Sequence, residues 1–106
     1  MNYFCLDVGT TCTKAQVFNS YGEILFYKSM NCPLVRIAGE DYADIKKIVN
    51  TVKELIKLAS VGREIDSVAI STFGESFVAL DCEDNILTYP MLYTDSRGEE
   101  EAGLLT

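Results

Sequence analysis

The sequence predicts an α/β fold built on one mixed β-sheet, with a three-stranded antiparallel meander, a helix and further strands of the same sheet. Short runs of apolar and β-branched residues, separated by turn residues, occupy the first part of the chain, as expected for consecutive hairpins. The apolar spacing then changes to the period of an amphipathic helix, and a short apolar run follows it. Because parallel strands need a long crossover connection, a helix between strands indicates a mixed sheet.

Three strands open the chain, over residues 3–7, 13–19 and 23–30. The tripeptide Ser-Tyr-Gly at residues 20–22 supplies a turn between the second and third strands, because serine and glycine favour tight turns. Pro33 then breaks the strand pattern, and the residues through Gly39 are predicted to form a loop.

Residues 42–60 are predicted to form an amphipathic helix that packs on the sheet. Its apolar residues recur at helical spacing, at Ile45, Ile48, Val49, Val52, Leu55, Ile56 and Ala59. Asp41 is expected to cap the N-terminus, where a carboxylate accepts the free N–H groups, and Gly62 is expected to end the helix. We assign this helix to core packing and to no chemistry.

A short, fully buried strand parallel to the first is predicted over residues 67–71. Further strands are predicted over residues 77–81 and 86–93, and a second helix is expected to begin within residues 98–106. The order β-β-β-α-β fits the start of an actin-like, ribonuclease-H-like ATPase domain.

Composition limits the classes of function. The 106 residues are 48% hydrophobic, which supports one domain with a real core. The net charge of −7, with no basic stripe, argues against a nucleic-acid partner. The chain has no basic and apolar leader and no apolar run of membrane-spanning length, so we expect a cytoplasmic protein without a membrane partner.

Cysteine and histidine usage narrows the chemistry further. The cysteines at positions 5, 12, 32 and 82 form no C-x-x-C pair and there is no histidine, which argues against a zinc site. We expect reduced and mostly buried cysteines. Without histidine, any proton transfer would fall to a carboxylate.

Residues 7–14, called the phosphate hairpin below, carry the groups that bind a phosphate and a metal ion. They include one carboxylate, one glycine, three hydroxyl residues and one lysine: Asp7, Gly9, Thr10, Thr11, Thr13 and Lys14. Glycine lets the main chain approach phosphate oxygens, and successive N–H groups in a turn form an anion-binding concavity. A carboxylate can take Mg²⁺ directly or through its water shell. The alternative is an ordinary hairpin whose threonines satisfy their own turn, and Lys14 is read as a surface lysine.

Three segments in this order together resemble the FGGY family of carbohydrate kinases, over the whole chain. The first is the phosphate hairpin, where Asp7, Gly9, Thr10, Thr11 and Lys14 match the family's D-x-G-T-T/S-x-x-K/R. The second is the strand at residues 68–71, which matches I-x-I-S, followed by residues 74–76 (Gly-Glu-Ser), called the substrate turn below. The third matches W/Y-x-D-x-R with Tyr93, Asp95 and Arg97.

The substrate turn is most similar to the T-W-G-x-D-F turn of the rhamnulokinase branch, but with departures. Phe73 replaces the tryptophan and Ser76 replaces the aspartate. Glu75 matches the glutamate of the arginine–glutamate pair in glycerol kinases, whereas Gly74 does not match the arginine. These departures leave the sugar open among rhamnulose, xylulose, fuculose and glycerol.

The resemblance implies roles for individual residues. Asp7 would hold Mg²⁺, directly or through water, and Gly9, Thr10, Thr11 and Thr13 would bind the ATP phosphates. The substrate side would comprise Gly74, Glu75, Ser76, Tyr93 and Asp95, with Glu75 accepting hydrogen bonds from sugar hydroxyls. Asp95 and Arg97 could instead pair with each other and brace the loop, which is the favoured role for Arg97. The aspartate that takes the proton from the sugar is expected downstream of residue 106.

The leading hypothesis is therefore the N-terminal part of the first domain of an ATP-dependent sugar or polyol kinase, inactive by itself and prone to self-association. One alternative is the nucleotide-binding part of an actin-like ATPase of the CoA-dehydratase-activator type, which opens with a similar hairpin. Another is a non-catalytic fragment that keeps the fold without turnover. The substrate turn and the segment from Tyr93 to Arg97 favour the kinase.

Overall fold

The computed structural model describes residues 1–74, 76–92 and 97–105. Within these residues the chain forms six strands and two helices: β1 (Asn2–Val8), β2 (Cys12–Asn19), β3 (Ile24–Asn31), β4 (Leu34–Ile37), β5 (Glu40–Ala43), α1 (Ile45–Ser60), β6 (Ser67–Thr72) and α2 (Glu99–Leu105). Four strands form the main sheet in the order β3-β2-β1-β6, and β4 pairs with β5 in a separate hairpin.

The main sheet is mixed, as predicted. β1 pairs antiparallel with β2 and parallel with β6, and β2 pairs antiparallel with β3. The helix α1 provides the crossover between β3 and β6, which lets β6 return parallel to β1. The meander, the helix and the parallel strand predicted from the sequence are thus confirmed.

The core lies between α1 and one face of the main sheet. Alternate residues of β1 and β2 point towards the helix, because successive side chains of a strand face opposite sides. The buried cluster comprises Phe4, Leu6, Ala15, Val17, Leu55 and Ala59. Val17 of β2 and Leu55 of α1 are both fully buried in this cluster, which anchors α1 on the sheet.

The region before α1 differs from the sequence prediction. Leu34–Ile37 is not loop but β4, which pairs antiparallel with Glu40–Ala43 across a turn at Ala38 and Gly39. Both turn residues have positive φ, 52° and 83°, the geometry of a tight hairpin turn. Pairing in this hairpin draws residues 42 and 43 out of the predicted helix.

The helix therefore begins at Ile45, and the predicted cap at Asp41 is wrong. Asp44 is the N-cap, and its side chain accepts the N–H of Lys47 at 3.2 Å. Asp41 lies in β5 and forms an ion pair with Arg36 at 3.5 Å. Two aspartates three positions apart were both able to cap, and strand pairing decided between them.

The strand β6 is exposed along its whole length, which corrects the expectation of a fully buried strand. It lies at the edge of the main sheet, and α1 packs over β2 and β3 on the other side. Val68 and Ile70 consequently remain 58% and 64% exposed. The residues of β6 are apolar enough to be buried, but none of the described elements packs over them.

Residues 77–81 and 86–92 are not strands; an isolated bridge joins Leu80 and Ile86, and residue 93 lies outside the described residues. The second helix forms as α2. All four cysteines are free thiols, but Cys82 is exposed and the other three are half-buried, so the expectation of mostly buried cysteines is wrong. Within the described residues, no helix is long and apolar enough to span a membrane.

Candidate active site

The turn of the phosphate hairpin is closed by the N–H of Gly9, which donates to the carbonyl oxygen of Cys12 at 3.0 Å. A Cβ added to Gly9 would lie 3.0 Å from that same oxygen, so the close approach of the two strands requires glycine. In the described part of the chain, the backbone N–H groups of Thr10 and Thr11 donate to no acceptor. These two donors are available to an anion at the tip of the hairpin.

Thr13 is separated from the other two threonines. Its side chain is 1% exposed and lies on the helix-facing side of β2, with its hydroxyl oxygen 3.6 Å from the sulfur of Cys32. A phosphate at the tip would meet Thr10, which is half-buried, and Thr11, which is exposed. The geometry therefore gives Thr13 a supporting position inside the hairpin and not a contact with the phosphate.

Asp7 lies on the open face of the sheet, opposite the face that packs on α1. It is the register partner of Lys14 on β2 and of Ser71 on β6. Register partners on adjacent strands point to the same face, so the three polar side chains form one row. A shallow depression of about 340 Å³ is lined by Asp7, Lys14, Ser71, Cys5, Gln16 and Tyr27.

The sequence alone predicts a surface position for Lys14 and does not point to Ser71. The hairpin itself carries the missed signal for Lys14. With the two strands paired so closely across the turn, the residue opposite Asp7 must be Lys14. Ser71 could not be paired by counting, since the register of a parallel strand is set across the helix and not by a turn.

The phosphate hairpin and the substrate turn meet at one edge of the sheet. β1 and β6 are parallel, and the N–H of Phe73 donates to the carbonyl oxygen of Val8 at 3.1 Å. Gly74 therefore follows directly after the point where the two strands end together. In open α/β sheets, ligands bind outside the carboxyl ends of parallel strands.

The predicted substrate residues are only partly placed. Gly74 is exposed, and an added Cβ there would meet no atom within 4 Å. Ser76 donates its hydroxyl to the carbonyl oxygen of Met91, which joins the substrate turn to the segment at residues 88–91. The other three predicted substrate residues, Glu75, Tyr93 and Asp95, lie outside the described residues.

Arg97 contacts Tyr42 of the β4–β5 hairpin, while its predicted pairing with Asp95 lies outside the described residues. Its guanidinium carbon lies 4.8 Å from the centroid of the Tyr42 ring, and Nη1 donates to the Tyr42 hydroxyl at 2.5 Å. Tyr42 also bridges to Met91, which Ser76 contacts. The hairpin β4–β5, the substrate turn and Arg97 are thus linked through one side-chain and backbone network.

The residues present are compatible with a magnesium ion bound together with a nucleotide. Among the described residues, no group of three or more His, Cys, Asp or Glu side chains gathers to hold a metal. Mg²⁺ at phosphoryl-transfer sites is held by one or two carboxylates, water and the substrate phosphates, and does not need such a group. Asp7 is exposed next to the hairpin tip, as this mode of binding requires.

The sequence model for the FGGY family of carbohydrate kinases, N-terminal domain, matches residues 2–106. The chain belongs to the FGGY family of carbohydrate kinases. It is 30% identical over 99 residues to a rhamnulokinase from Bacteroides thetaiotaomicron, which covers 89% of this chain and 20% of that protein. It is 39% identical over 62 residues to a rhamnulokinase from Yersinia pestis bv. Antiqua (strain Angola). That match covers 58% of this chain and 13% of that protein.

Solved structures support the same family. A gluconate kinase from Lactobacillus acidophilus superposes with a TM-score of 0.83 and 26% identity, covering 96% of this chain and 21% of that chain. FGGY kinases have an actin-like, ribonuclease-H-like fold, so the fold predicted from the sequence is confirmed. The chain spans about a fifth or less of the length of these relatives.

Proposed function

We propose that this chain is the N-terminal part of the first domain of a kinase that transfers the γ-phosphoryl group of ATP to a sugar or polyol hydroxyl. The observation that carries the proposal is the hydrogen bond from Phe73 to Val8, which sets the substrate turn beside the phosphate hairpin. Phosphoryl transfer needs donor and acceptor held within reach of each other, and this positioning supplies a large part of the rate enhancement.

The phosphate hairpin is the nucleotide side of the proposed site. The N–H groups of Thr10 and Thr11 have no acceptor within the described residues and lie at the tip, where they would donate to phosphate oxygens. Gly9 allows the close approach of the strands that this turn needs. Thr13, which is buried, would support the turn from inside.

Asp7 is the residue proposed to hold Mg²⁺, directly or through water. When bound, the ion would neutralise negative charge on the transferring phosphoryl group. Lys14 stands opposite Asp7 in the register and adds positive charge to the same face of the sheet. Ser71 completes the row from β6 and supplies a hydroxyl beside the carboxylate. The row thus combines a metal-binding carboxylate with a cation close to the phosphate-binding tip.

The substrate turn is the proposed acceptor side. Glu75 would accept hydrogen bonds from sugar hydroxyls. A Cβ added to the preceding Gly74 would meet no atom within 4 Å. Ser76, Tyr93 and Asp95 are proposed to complete this side, with Ser76 tied to Met91. The sugar stays open, because the relatives carry names for both rhamnulose and gluconate kinases. The base that deprotonates the acceptor is proposed to come from the parent protein outside residues 1–106.

The experiment is an assay of the full-length protein that contains this chain, with ATP, Mg²⁺ and a panel of ketoses, polyols and aldonic acids. We expect ADP formation that depends on one member of the panel. ADP formation at the same rate without any sugar would contradict the proposal and support an actin-like ATPase. No nucleotide turnover with any panel member would support a non-catalytic protein.

A further inference from the structure

Cys32 lies immediately after β3, at the end of the sheet that carries the phosphate hairpin. Its backbone N–H donates to the carbonyl oxygen of Thr11 at 2.9 Å. Its thiol donates to the carbonyl oxygen of Gly9 at 2.9 Å, and its sulfur is 3.6 Å from the Thr13 hydroxyl oxygen. One half-buried residue therefore contacts three positions of the turn.

These contacts fix the orientation of peptide planes in the turn. A trans peptide bond is planar, so its carbonyl oxygen and the following N–H point in opposite directions. No cis peptide bond occurs in the described chain. Because the oxygen of Gly9 points to the Cys32 thiol, the N–H of Thr10 points away from Cys32. That N–H is one of the two donors without an acceptor in the described chain.

The opposite side of Cys32 is also held in place. The carbonyl oxygen of the next residue, Pro33, accepts the N–H of Asp44 at 3.2 Å, and Asp44 caps α1. The helix in turn is packed on the sheet through Leu55. Cys32 thus joins the hairpin tip to a rigid part of the fold, and its thiol is not needed for that backbone link.

We propose that Cys32 is a positioning residue of the phosphate hairpin, whose thiol holds the Gly9 carbonyl so that the Thr10 N–H faces the ATP phosphates. This inference rests on the proposed function. It assigns the thiol no contact with substrate and no redox chemistry. The loss of one hydrogen bond of this kind corresponds to about a fivefold change in an equilibrium constant.

The kinetic test uses the full-length protein with Cys32→Ala, which removes the donor, and Cys32→Ser, which keeps one. Cys82→Ala is the matched control, because Cys82 is exposed. We expect Cys32→Ala to raise the KM for ATP about fivefold and the KM for sugar less than about twofold. Cys32→Ser and Cys82→Ala should both stay within about twofold of the wild type for ATP. Equal rises for alanine and serine would show that only packing matters and would overturn the proposal.

A second measurement does not depend on catalysis. Hydrogen–deuterium exchange of the same variants compares the amides of residues 9–13 with those of residues 19–23, the turn at the opposite end of β2. We expect Cys32→Ala to speed exchange of the Gly9 amide, whose N–H donates to Cys12, about fivefold and to leave residues 19–23 unchanged. Unchanged exchange of the Gly9 amide, or equal acceleration at both turns, would overturn the proposal. If the wild type shows no sugar-dependent turnover, the proposed function fails and this comparison still decides the role of Cys32.

Discussion

The backbone N–H of Phe73 donates to the carbonyl oxygen of Val8 at 3.1 Å and extends the parallel ladder between β6 and β1 by one bond. Beyond this bond the two strands part into the phosphate hairpin and the substrate turn. Two segments far apart in the sequence therefore start from the same point of the sheet edge. This common origin is the structural basis for assigning the nucleotide and the acceptor to neighbouring loops.

Glu75 provides the first prediction, made on the full-length protein. Glu75→Gln keeps the size of the side chain but removes its charge, so hydrogen bonds from sugar hydroxyls become weaker. The loss should cost about 1.5–3 kcal/mol, which corresponds to about a ten- to hundredfold rise in the KM for sugar. The KM for ATP should change much less. Glu83→Gln, at an exposed turn residue, is the control, and equal effects of Glu75→Gln on both substrates would contradict the assignment.

Gly9 provides the second prediction. The new Cβ of Gly9→Ala would lie 3.0 Å from the carbonyl oxygen of Cys12, so the turn must shift. Overpacking of this kind costs about 1–3 kcal/mol, which corresponds to about a 5- to 150-fold rise in the KM for ATP. Gly103→Ala in α2 is the control, because an added Cβ there meets no atom within 4 Å. ATP kinetics unchanged by Gly9→Ala would remove the hairpin from nucleotide binding.

Asp81 provides a prediction about pH. The pKa of its carboxyl lies below the ordinary value of 3.8, chiefly because the backbone N–H and side-chain amide of Asn85 donate to it, with a further bond from the N–H of Glu83. The folded state therefore favours the carboxylate. Its contribution to stability is present above pH 3.8 and is lost as the pH falls through the lowered pKa. A carboxyl chemical-shift titration should give a pKa for Asp81 below 3.8, and a pKa at or above 3.8 would contradict this.

The isolated 106-residue chain provides a fourth prediction. Val68 and Ile70 are exposed on edge strand β6, and apolar edges of this kind seek a partner. We expect light scattering to show a mass above that of a monomer, and an ADP assay to show no sugar-dependent turnover. Ile70→Lys should restore the monomer, whereas Val61→Lys, at an exposed residue just after α1, should not. A clean wild-type monomer would contradict the self-association.

Local patterns predicted most of the fold correctly. The periodicity of apolar residues within a single segment predicts each of four elements: β1, β2, β3 and α1. The hairpin at Leu34–Ile37 was missed because its turn uses Ala38 at positive φ, which no common turn motif announces. The exposure of β6 could not be read either, since apolar composition reports what a strand can bury and not what covers it.

The candidate site divides in the same way. The Asp-x-Gly-Thr-Thr pattern predicts Asp7 and Gly9 as site residues, because carboxylate chemistry and close backbone approach belong to single residues. Ser71 lies beside Asp7 only because of the register between β1 and β6, which is set by the tertiary structure and not by local sequence. Thr13 was grouped with Thr10 and Thr11 by composition, although strand alternation points its side chain into the core.

Phosphoryl transfer from ATP to a sugar can be observed by ³¹P NMR of the full-length protein mixed with ATP, Mg²⁺ and its sugar. We expect a sugar phosphate monoester to appear in step with ADP. We also expect Asp7→Asn to slow formation of the sugar phosphate by at least about a hundredfold, since charge on the transferring phosphoryl group is no longer compensated. Asp84→Asn is the matched control, at a turn residue with φ of 63° that asparagine adopts readily. Inorganic phosphate in place of the sugar phosphate would contradict the sugar kinase activity, and near-normal transfer by Asp7→Asn would contradict the role of Asp7.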